Sequence, residues 1–161
     1  MTPTTSRRRR AAVLSVSAPS LRLRLARLDQ DQADLERARD LLEQARAAVQ
    51  EDPREAFELA HRAALRGAGV LVTRANRERR RPLPLNVWNA LARLGGEDIE
   101  RAESLAPLVS ERMRLDRDPS SRPDPELLER HLEETATHLA QISGRLLEDL
   151  PEHITDLTAA G

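Results

Sequence analysis

The chain has no cysteine, no lysine and almost no aromatic side chains. Without cysteine, neither a disulfide framework nor a thiolate zinc site can form, and the cytoplasm is the expected location. Phe57 and Trp88 are the only phenylalanine, tyrosine or tryptophan rings, which argues against an RNA reader built on base stacking. No apolar run approaches the roughly 18 residues that span a bilayer. We therefore expect no membrane partner, and no sequence feature calls for a cofactor.

The basic residues number 26, and every one of them is arginine. Such usage is typical of a GC-rich genome, so the positions of the arginines are more informative than their number. Residues 1–28 hold seven arginines and no acid, whereas residues 97–161 hold seven arginines against sixteen acids. The net charge of −1 therefore conceals a strong charge asymmetry along the sequence.

The length of 161 residues suits one compact domain with short extensions. Residues 1–28 are predicted to be a basic mobile arm and lead-in, because their first part is rich in Thr, Ser, Pro and Arg and cannot bury much apolar surface. The LRLRLARL stretch at 21–28 alternates like a strand but leads into a helical pattern. Residues 29–150 are predicted to form a helical bundle, and residues 151–161 a frayed tail.

Apolar residues recurring at three and four positions predict helices at about 29–50, 53–80, 86–94, 97–114 and 125–150. The fourth helix is predicted to bury one face and to kink or break at Pro107. The residues of that face are Ile99, Ala102, Leu105, Val109 and Met113. Gly67 and Gly69 weaken the second helix relative to alanine, and we expect them to allow close approach of another helix.

The segment FELAHRAALRGAGVLVTRA at 57–75 is apolar around most of a helix, which indicates a central position in a bundle. Together with the following RERRRPLPLNVWNALARL, it resembles the second and third helices of HEPN domains. It is most similar to a small actinobacterial HEPN family that reads roughly AHxAALRAAAxVLxxRxRP before a Trp-bearing helix. The resemblance implies an all-α, HEPN-like, up-and-down bundle of four main helices plus one short helix.

HEPN ribonucleases, as the resemblance implies, place a histidine four to six residues after an arginine at the start of the last helix. Here Arg130 is adjacent to His131 and eight residues before His138, so the motif is absent at that point. Arg54 and His61 are seven residues apart and share one face of the second helix, which makes them weak catalytic candidates. The alternatives for His61 are a phosphate contact, or a buried structural histidine that is hydrogen-bonded to a neighbouring helix.

His131, Glu134 and His138 are spaced three and four residues apart along one edge of the last helix. Such spacing can contribute ligands to a metal ion if another helix completes the set. The simpler interpretation is a polar border beside the core. Trp88 is predicted to be a core anchor.

Five arginines crowd the predicted end of the second helix: Arg74, Arg77, Arg79, Arg80 and Arg81. They could be a solvated helix end, where cations stabilise the terminal carbonyls. They could instead form a phosphate-binding patch, extended by the arm at Arg7–Arg10.

Three functional hypotheses follow. The first is a non-catalytic HEPN-like domain that binds RNA, a nucleotide or a nucleic-acid-associated partner through arginine-rich surfaces. The second is a helical module that forms a homodimer or docks a protein partner. The third is a HEPN ribonuclease with a displaced Arg/His pair, in which His61 or His131 would act as the base.

Overall fold

The computed structural model describes residues 5–150, with side chains described from residue 19 onward. This part of the chain forms five α-helices: α1 (Thr5–Ala48), α2 (Pro53–Asn76), α3 (Val87–Arg93), α4 (Glu97–Arg117) and α5 (Pro125–Glu148). Four helices are long and α3 is short, so the prediction of an all-α bundle is confirmed. The tail predicted at residues 151–161 and the side chains of Arg7–Arg10 lie outside the described part.

Helix α1 begins at Thr5, well before the predicted start near Asp29. The alternation of LRLRLARL therefore does not indicate a strand in this stretch. Leu21, Leu25 and Leu28 are half-buried, and their spacing of four and three residues places them on one helical face. Leu23 points to solvent with 51% of its surface exposed. The predicted lead-in at 21–28 is thus a continuous part of α1.

Helices α1 and α2 run antiparallel, as the tight connection between them requires. Asp52 caps α2 by accepting a hydrogen bond from the Glu55 backbone nitrogen at 3.0 Å. Pro53 occupies the first turn, where its missing N–H costs nothing. At the other end of the pair, Asp31 of α1 meets Arg77, directly after α2.

Helix α5 runs parallel to α2, and α4 runs antiparallel to both. The first turns of α2 and α5 meet where Phe57 contacts His131, and their last turns meet where Arg74 pairs with Asp149. Gly67 lies between these points, where an added Cβ would be 2.5 Å from Leu139 Cδ2. The expectation of close helix approach therefore holds for Gly67. At Gly69 an added Cβ would meet nothing within 4 Å, so no such approach occurs there within the described chain.

Helix α2 ends at Asn76 rather than at the predicted Arg80. The Asn76 side chain accepts a hydrogen bond from the Leu83 backbone nitrogen at 2.9 Å and draws the chain back on itself. Leu83 is buried, so this turn is anchored in the core. Arg79, Arg80 and Arg81 consequently lie in an exposed turn and not on the helix.

Helix α3 ends before Gly95 and Gly96, whose φ angles of 81° and 53° suit glycine and let the chain turn into α4. Helix α4 runs without interruption through Pro107, so the predicted break does not occur. The predicted buried face of α4 is also partly wrong, because Ile99 and Met113 are 40% and 50% exposed. The buried positions instead include three charged residues, namely Asp98, Arg101 and Glu111. The spacing of apolar residues does not reveal a helix face whose buried side chains are charged and held by ion pairs.

The core is built mainly from Leu and Ala of α1, α2 and α5, with Trp88 half-buried against two of its apolar clusters. Leu139, Ile142 and Leu146 are among its best-buried side chains, as the pattern of α5 predicts. Within the described residues, no helix is both long and apolar enough to cross a membrane.

Candidate functional site

Two of the five clustered arginines are held by carboxylates on α1 and directly after α5. Both terminal nitrogens of Arg77 donate to the Asp31 carboxylate at 2.8 Å, and Asp31 is buried. Arg74 forms an ion pair with Asp149, the residue after α5. A phosphate stabilises a guanidinium less when the guanidinium already has a carboxylate partner than when only water surrounds it. Arg74 and Arg77 therefore serve mainly to fasten α2 to its neighbours.

The other three arginines, Arg79, Arg80 and Arg81, are exposed in the turn that follows α2. Three consecutive guanidiniums on a turn present donors in several directions, as contact with a flexible polyanion requires. They directly follow Arg77 and Glu78, which border a cleft at this end of the bundle. The turn therefore begins at the edge of the cleft.

The arginine cleft has a volume of about 540 Å³ and lies where the last turns of α2 and α5 meet α1 and the start of α4. Such a volume is typical of small-ligand sites. Its charged lining consists of Arg24, Arg27, Arg74, Arg77, Arg145, Asp31, Glu78, Asp98 and Asp149. Arg145 is engaged with Asp98 at 2.9 and 3.2 Å. Arg24 and Arg27 are exposed on α1 and, like Glu78, form no ion pair within the described chain, so the lining has one more arginine than carboxylates.

Three histidines lie inside the bundle and not on its surface. His61, His131 and His138 are 3%, 0% and 4% exposed. The rings of His61 and His131 approach edge-on with centroids 5.7 Å apart, and His61 meets the Trp88 ring at 5.8 Å in the same manner. The fold therefore brings together two histidines that are 70 positions apart in the sequence.

Burial lowers the pKa of all three imidazoles, because the charged form cannot be hydrated. It lowers the pKa of His61 to about 4, with a further contribution from the nearby Arg112 charge. The pKa of His131 falls to about 3 and that of His138 to about 4, and Arg101 contributes to both shifts. All three side chains are neutral at pH 7.

Arg101 of α4 is a buried member of this histidine cluster that sequence reasoning did not identify. Its Nη2 donates to Thr135 Oγ1 at 3.3 Å, and its Nη1 lies 3.6 Å from Glu134. Burial lowers the pKa of the Arg101 guanidinium to about 10, which leaves it charged at pH 7. One of 26 arginines gives no sequence signal of burial, since only the fold places it against α5.

Several buried atoms of the histidine cluster have no hydrogen-bond partner within the described chain. They are His61 Nδ1, Arg101 Nε and Nη1, His131 Nε2, Glu134 Oε2, and both ring nitrogens of His138. His61 is thus buried, but its Nδ1 lacks the expected hydrogen bond to a neighbouring helix. Unsatisfied polar groups of this kind are costly, and a native core contains few of them.

Arg54, the weak catalytic candidate on α2, is occupied at the far end of α4. Its guanidinium donates to the backbone carbonyls of Leu115, Asp118 and Ser121. These acceptors lie in the last turn of α4 and the loop after it, where carbonyls lack helical partners. Arg54 therefore acts as a C-terminal cap and is not positioned to hold a phosphate beside His61.

A family model that describes HEPN-like proteins matches residues 47–144, which is more than half of the chain. The chain belongs to a HEPN family. Comparison with curated proteins and with solved structures finds no match.

The HEPN match runs from the end of α1 through most of α5, so it includes all three buried histidines, Arg54 and Arg101. Part of the arginine cleft lies outside it, because Arg24, Arg27 and Asp31 belong to the preceding part of α1. Among the described residues of this HEPN chain, no group of three or more His, Asp or Glu side chains is arranged to hold a metal ion. His131, Glu134 and His138 face the protein interior and the border of α4 instead.

Proposed function

We propose that this HEPN domain binds the phosphates of RNA or of a nucleotide at its arginine-rich end, without cleaving the ligand. The observation that carries the proposal is that the exposed turn at Arg79–Arg81 directly follows Arg77 and Glu78 of the arginine cleft. Five arginines there, counting Arg24 and Arg27, are exposed and have no carboxylate partner within the described chain. Uncompensated guanidiniums on one surface attract phosphates regardless of base sequence.

The three ion-paired arginines of the cleft support this surface in a different way. The pairs Arg74–Asp149, Arg77–Asp31 and Arg145–Asp98 tie α1, α2, α4 and α5 together at the cleft. A scaffold that is fixed in this way holds the exposed arginines in place before a ligand arrives, which reduces the entropy lost on binding. The structural and ligand-binding roles are thus divided among arginines that look alike in the sequence.

The absence of cleavage is part of the proposal. A general base must reach the ribose hydroxyl within hydrogen-bond distance. His61 and His131 are enclosed by the bundle, and the Arg54 guanidinium is committed to backbone carbonyls. The Arg54/His61 pair therefore does not present both groups to a ligand in this conformation, and His131 is not exposed to one.

The test is binding of a single-stranded oligo-uridine across a salt series by the full chain and two triple variants. One variant carries Arg79→Glu, Arg80→Glu and Arg81→Glu, and the matched control carries Arg66→Glu, Arg93→Glu and Arg117→Glu at positions outside the cleft. We expect the first variant to lower the slope of log K against log salt by about 2, since each lost contact with a single strand removes about 0.7. Equal losses in both variants would mean that net charge, and not this surface, governs binding.

A second candidate function, self-association, is favoured by the surroundings of Gly69. A groove of about 570 Å³ between α1 and α2 is lined by Asp34, Leu41, Arg62, Leu65, Arg66, Gly69, Val70 and Thr73. An added Cβ at Gly69 meets nothing, so the helix carries a glycine there without any packing reason inside the described chain. Under this alternative, Gly69→Leu converts a dimer to a monomer in solution-mass measurements, whereas Arg79→Glu has no effect.

A further inference from the structure

The two halves of α4 are fastened to the bundle by different forces. In the C-terminal half, Leu108 and Leu115 are buried in an apolar cluster with Phe57 and Leu128. In the N-terminal segment, Glu97–Ser104, the contacts with α5 are polar, and Ala102 is the one described side chain that packs against the apolar core. The next residue, Leu105, is fully buried in the apolar cluster and anchors the rest of α4. A helix half that is held by polar contacts separates from its neighbour at a smaller cost in hydrophobic burial than an apolar half does.

The side-chain polar contacts that this segment makes with another helix all lead to α5. Asp98 receives two hydrogen bonds from Arg145, Arg101 reaches Thr135, and the Ser104 carbonyl accepts from Arg130 at 3.2 Å. Beneath them lie buried polar atoms without a hydrogen-bond partner in the described chain, including Arg101 Nε, His131 Nε2 and both nitrogens of His138. If this segment separated from α5, water could form hydrogen bonds with those atoms. This hydration would offset part of the free energy that separation requires.

Both ends of the segment have a structural weak point. Gly95 and Gly96 precede it with positive φ angles, and a Cβ added at either glycine would meet no described atom within 4 Å. Pro107 lies three residues after it, beyond the buried Leu105. Because proline lacks an amide hydrogen, the Glu103 carbonyl at the end of the segment has no helical donor. The polar segment therefore begins after a glycine turn and ends at a gap in the backbone hydrogen bonding of α4.

We propose that Glu97–Ser104 is a lid that opens from α5 by local unfolding, while Leu105 and the rest of α4 stay anchored, and so gives solvent access to His131 and His138. The Asp98–Arg145 ion pair holds this lid closed. Arg145 also lines the arginine cleft, so a phosphate bound there competes with Asp98 for the guanidinium. The lid goes beyond the proposed function, whereas this phosphate trigger rests on it.

The test compares Asp98→Asn with Glu100→Gln in the full chain. Both substitutions remove one carboxylate from the first turn of α4, but Glu100 is exposed and forms no ion pair with α5 within the described chain. Backbone amide exchange is measured by mass spectrometry, and access to the histidines is measured by carbethoxylation at neutral pH. We expect Asp98→Asn to accelerate exchange of Glu97–Ser104 and modification of His131 and His138 by about tenfold, because a charge-assisted hydrogen bond is worth roughly that factor. Glu100→Gln should leave both rates near those of the unmodified chain.

Exchange in the unmodified chain provides a test that needs no variant. The first-turn amides of any helix lack helical acceptors and exchange quickly, so the comparison uses Arg101–Ser104. The lid predicts faster exchange in Arg101–Ser104 than in the apolar half of α4, although both are helical. Equal exchange in both halves would overturn the lid, as would an Asp98→Asn effect spread evenly over α4 and α5.

Addition of inorganic pyrophosphate tests the trigger separately. The trigger predicts faster exchange in Glu97–Ser104 when pyrophosphate is bound. If Asp98→Asn opens the lid but pyrophosphate binds without accelerating exchange, the trigger is wrong while the lid and the phosphate site stand. If pyrophosphate does not bind, the proposed phosphate site fails as well.

Discussion

Asp31 on α1 accepts two hydrogen bonds of 2.8 Å from Arg77, which directly follows α2, and both residues line the arginine cleft. The carboxylate is 5% exposed and the guanidinium 19%. A pair this well enclosed is strongly destabilised when one partner is removed, because the remaining charge stays in a poorly hydrated place.

Asp31→Ala should therefore lower the free energy of unfolding by about 2 to 3 kcal/mol, less than for a fully buried pair because Arg77 retains some water. The matched control is Asp34→Ala, which removes the exposed pair with Arg37 on the same helix and should cost under about 1 kcal/mol. Urea unfolding followed by circular dichroism measures both. Equal costs for the two variants would show that the Asp31–Arg77 pair does not fasten α1 to α2.

The buried histidines predict instability in mild acid. Their pKa values in the folded chain, about 4, 3 and 4 for His61, His131 and His138, lie below the usual 6.5. Between about pH 6.5 and pH 4 the unfolded chain binds protons that the folded chain does not, so stability falls as the pH falls. The combined loss is on the order of several kcal/mol, since each unit of pKa difference is worth about 1.4 kcal/mol.

Urea midpoints measured at pH 7, 6 and 5 check this dependence. His138→Leu removes one of the three protonation sites, so its stability should vary less with pH than that of the unmodified chain. A stability that stays constant between pH 7 and pH 5 would contradict the burial of the histidine cluster.

Gly67 and Gly69, two residues apart on α2, should respond to alanine in opposite directions. At Gly67 the new Cβ would lie 2.5 Å from Leu139 Cδ2 in a packed core, so Gly67→Ala should destabilise by about 1 to 2 kcal/mol after the helix-propensity gain. At Gly69 it meets nothing, and Gly69→Ala should stabilise by up to about 1 kcal/mol. Thermal unfolding of the two variants provides the comparison, and a shift of the same sign in both would refute the packing described for α2 and α5.

Arg54→Met should separate a structural role from a ligand-binding role. The substitution leaves the carbonyls of Leu115, Asp118 and Ser121 without their donor, at a cost of about 1 to 3 kcal/mol. RNA affinity should be unchanged, because Arg54 lies at the opposite end of the bundle from the arginine cleft. A large loss of RNA affinity with unaltered stability would instead support the Arg54/His61 hypothesis.

The sequence predicts the helices whose apolar residues recur regularly, and it predicts the turns between them. The α5 pattern and the Asp52–Pro53 helix start are found in the structure. The buried face of α4 is not predictable in this way, because Asp98 and Arg101 are buried through partners that lie more than 30 residues away. Local spacing carries no information about such partners.

The candidate site shows the same limit. The crowding of arginines after residue 73 is visible in the sequence, but their division into paired and exposed groups depends on Asp31 and Asp149, far away along the chain. His61 and His131 are likewise visible as residues, whereas their edge-on contact within the core is a product of the parallel arrangement of α2 and α5.

The most direct test of the central claim is one incubation of the full chain with end-labelled oligo-uridine, read both for binding across a salt series and for the integrity of the RNA afterwards. The account predicts affinity that falls steeply as salt rises, with the RNA intact throughout. Absence of binding even at low salt would contradict the phosphate-binding role. Cleavage that is lost in His61→Ala or His131→Ala would contradict the non-catalytic assignment and establish the displaced-ribonuclease hypothesis instead.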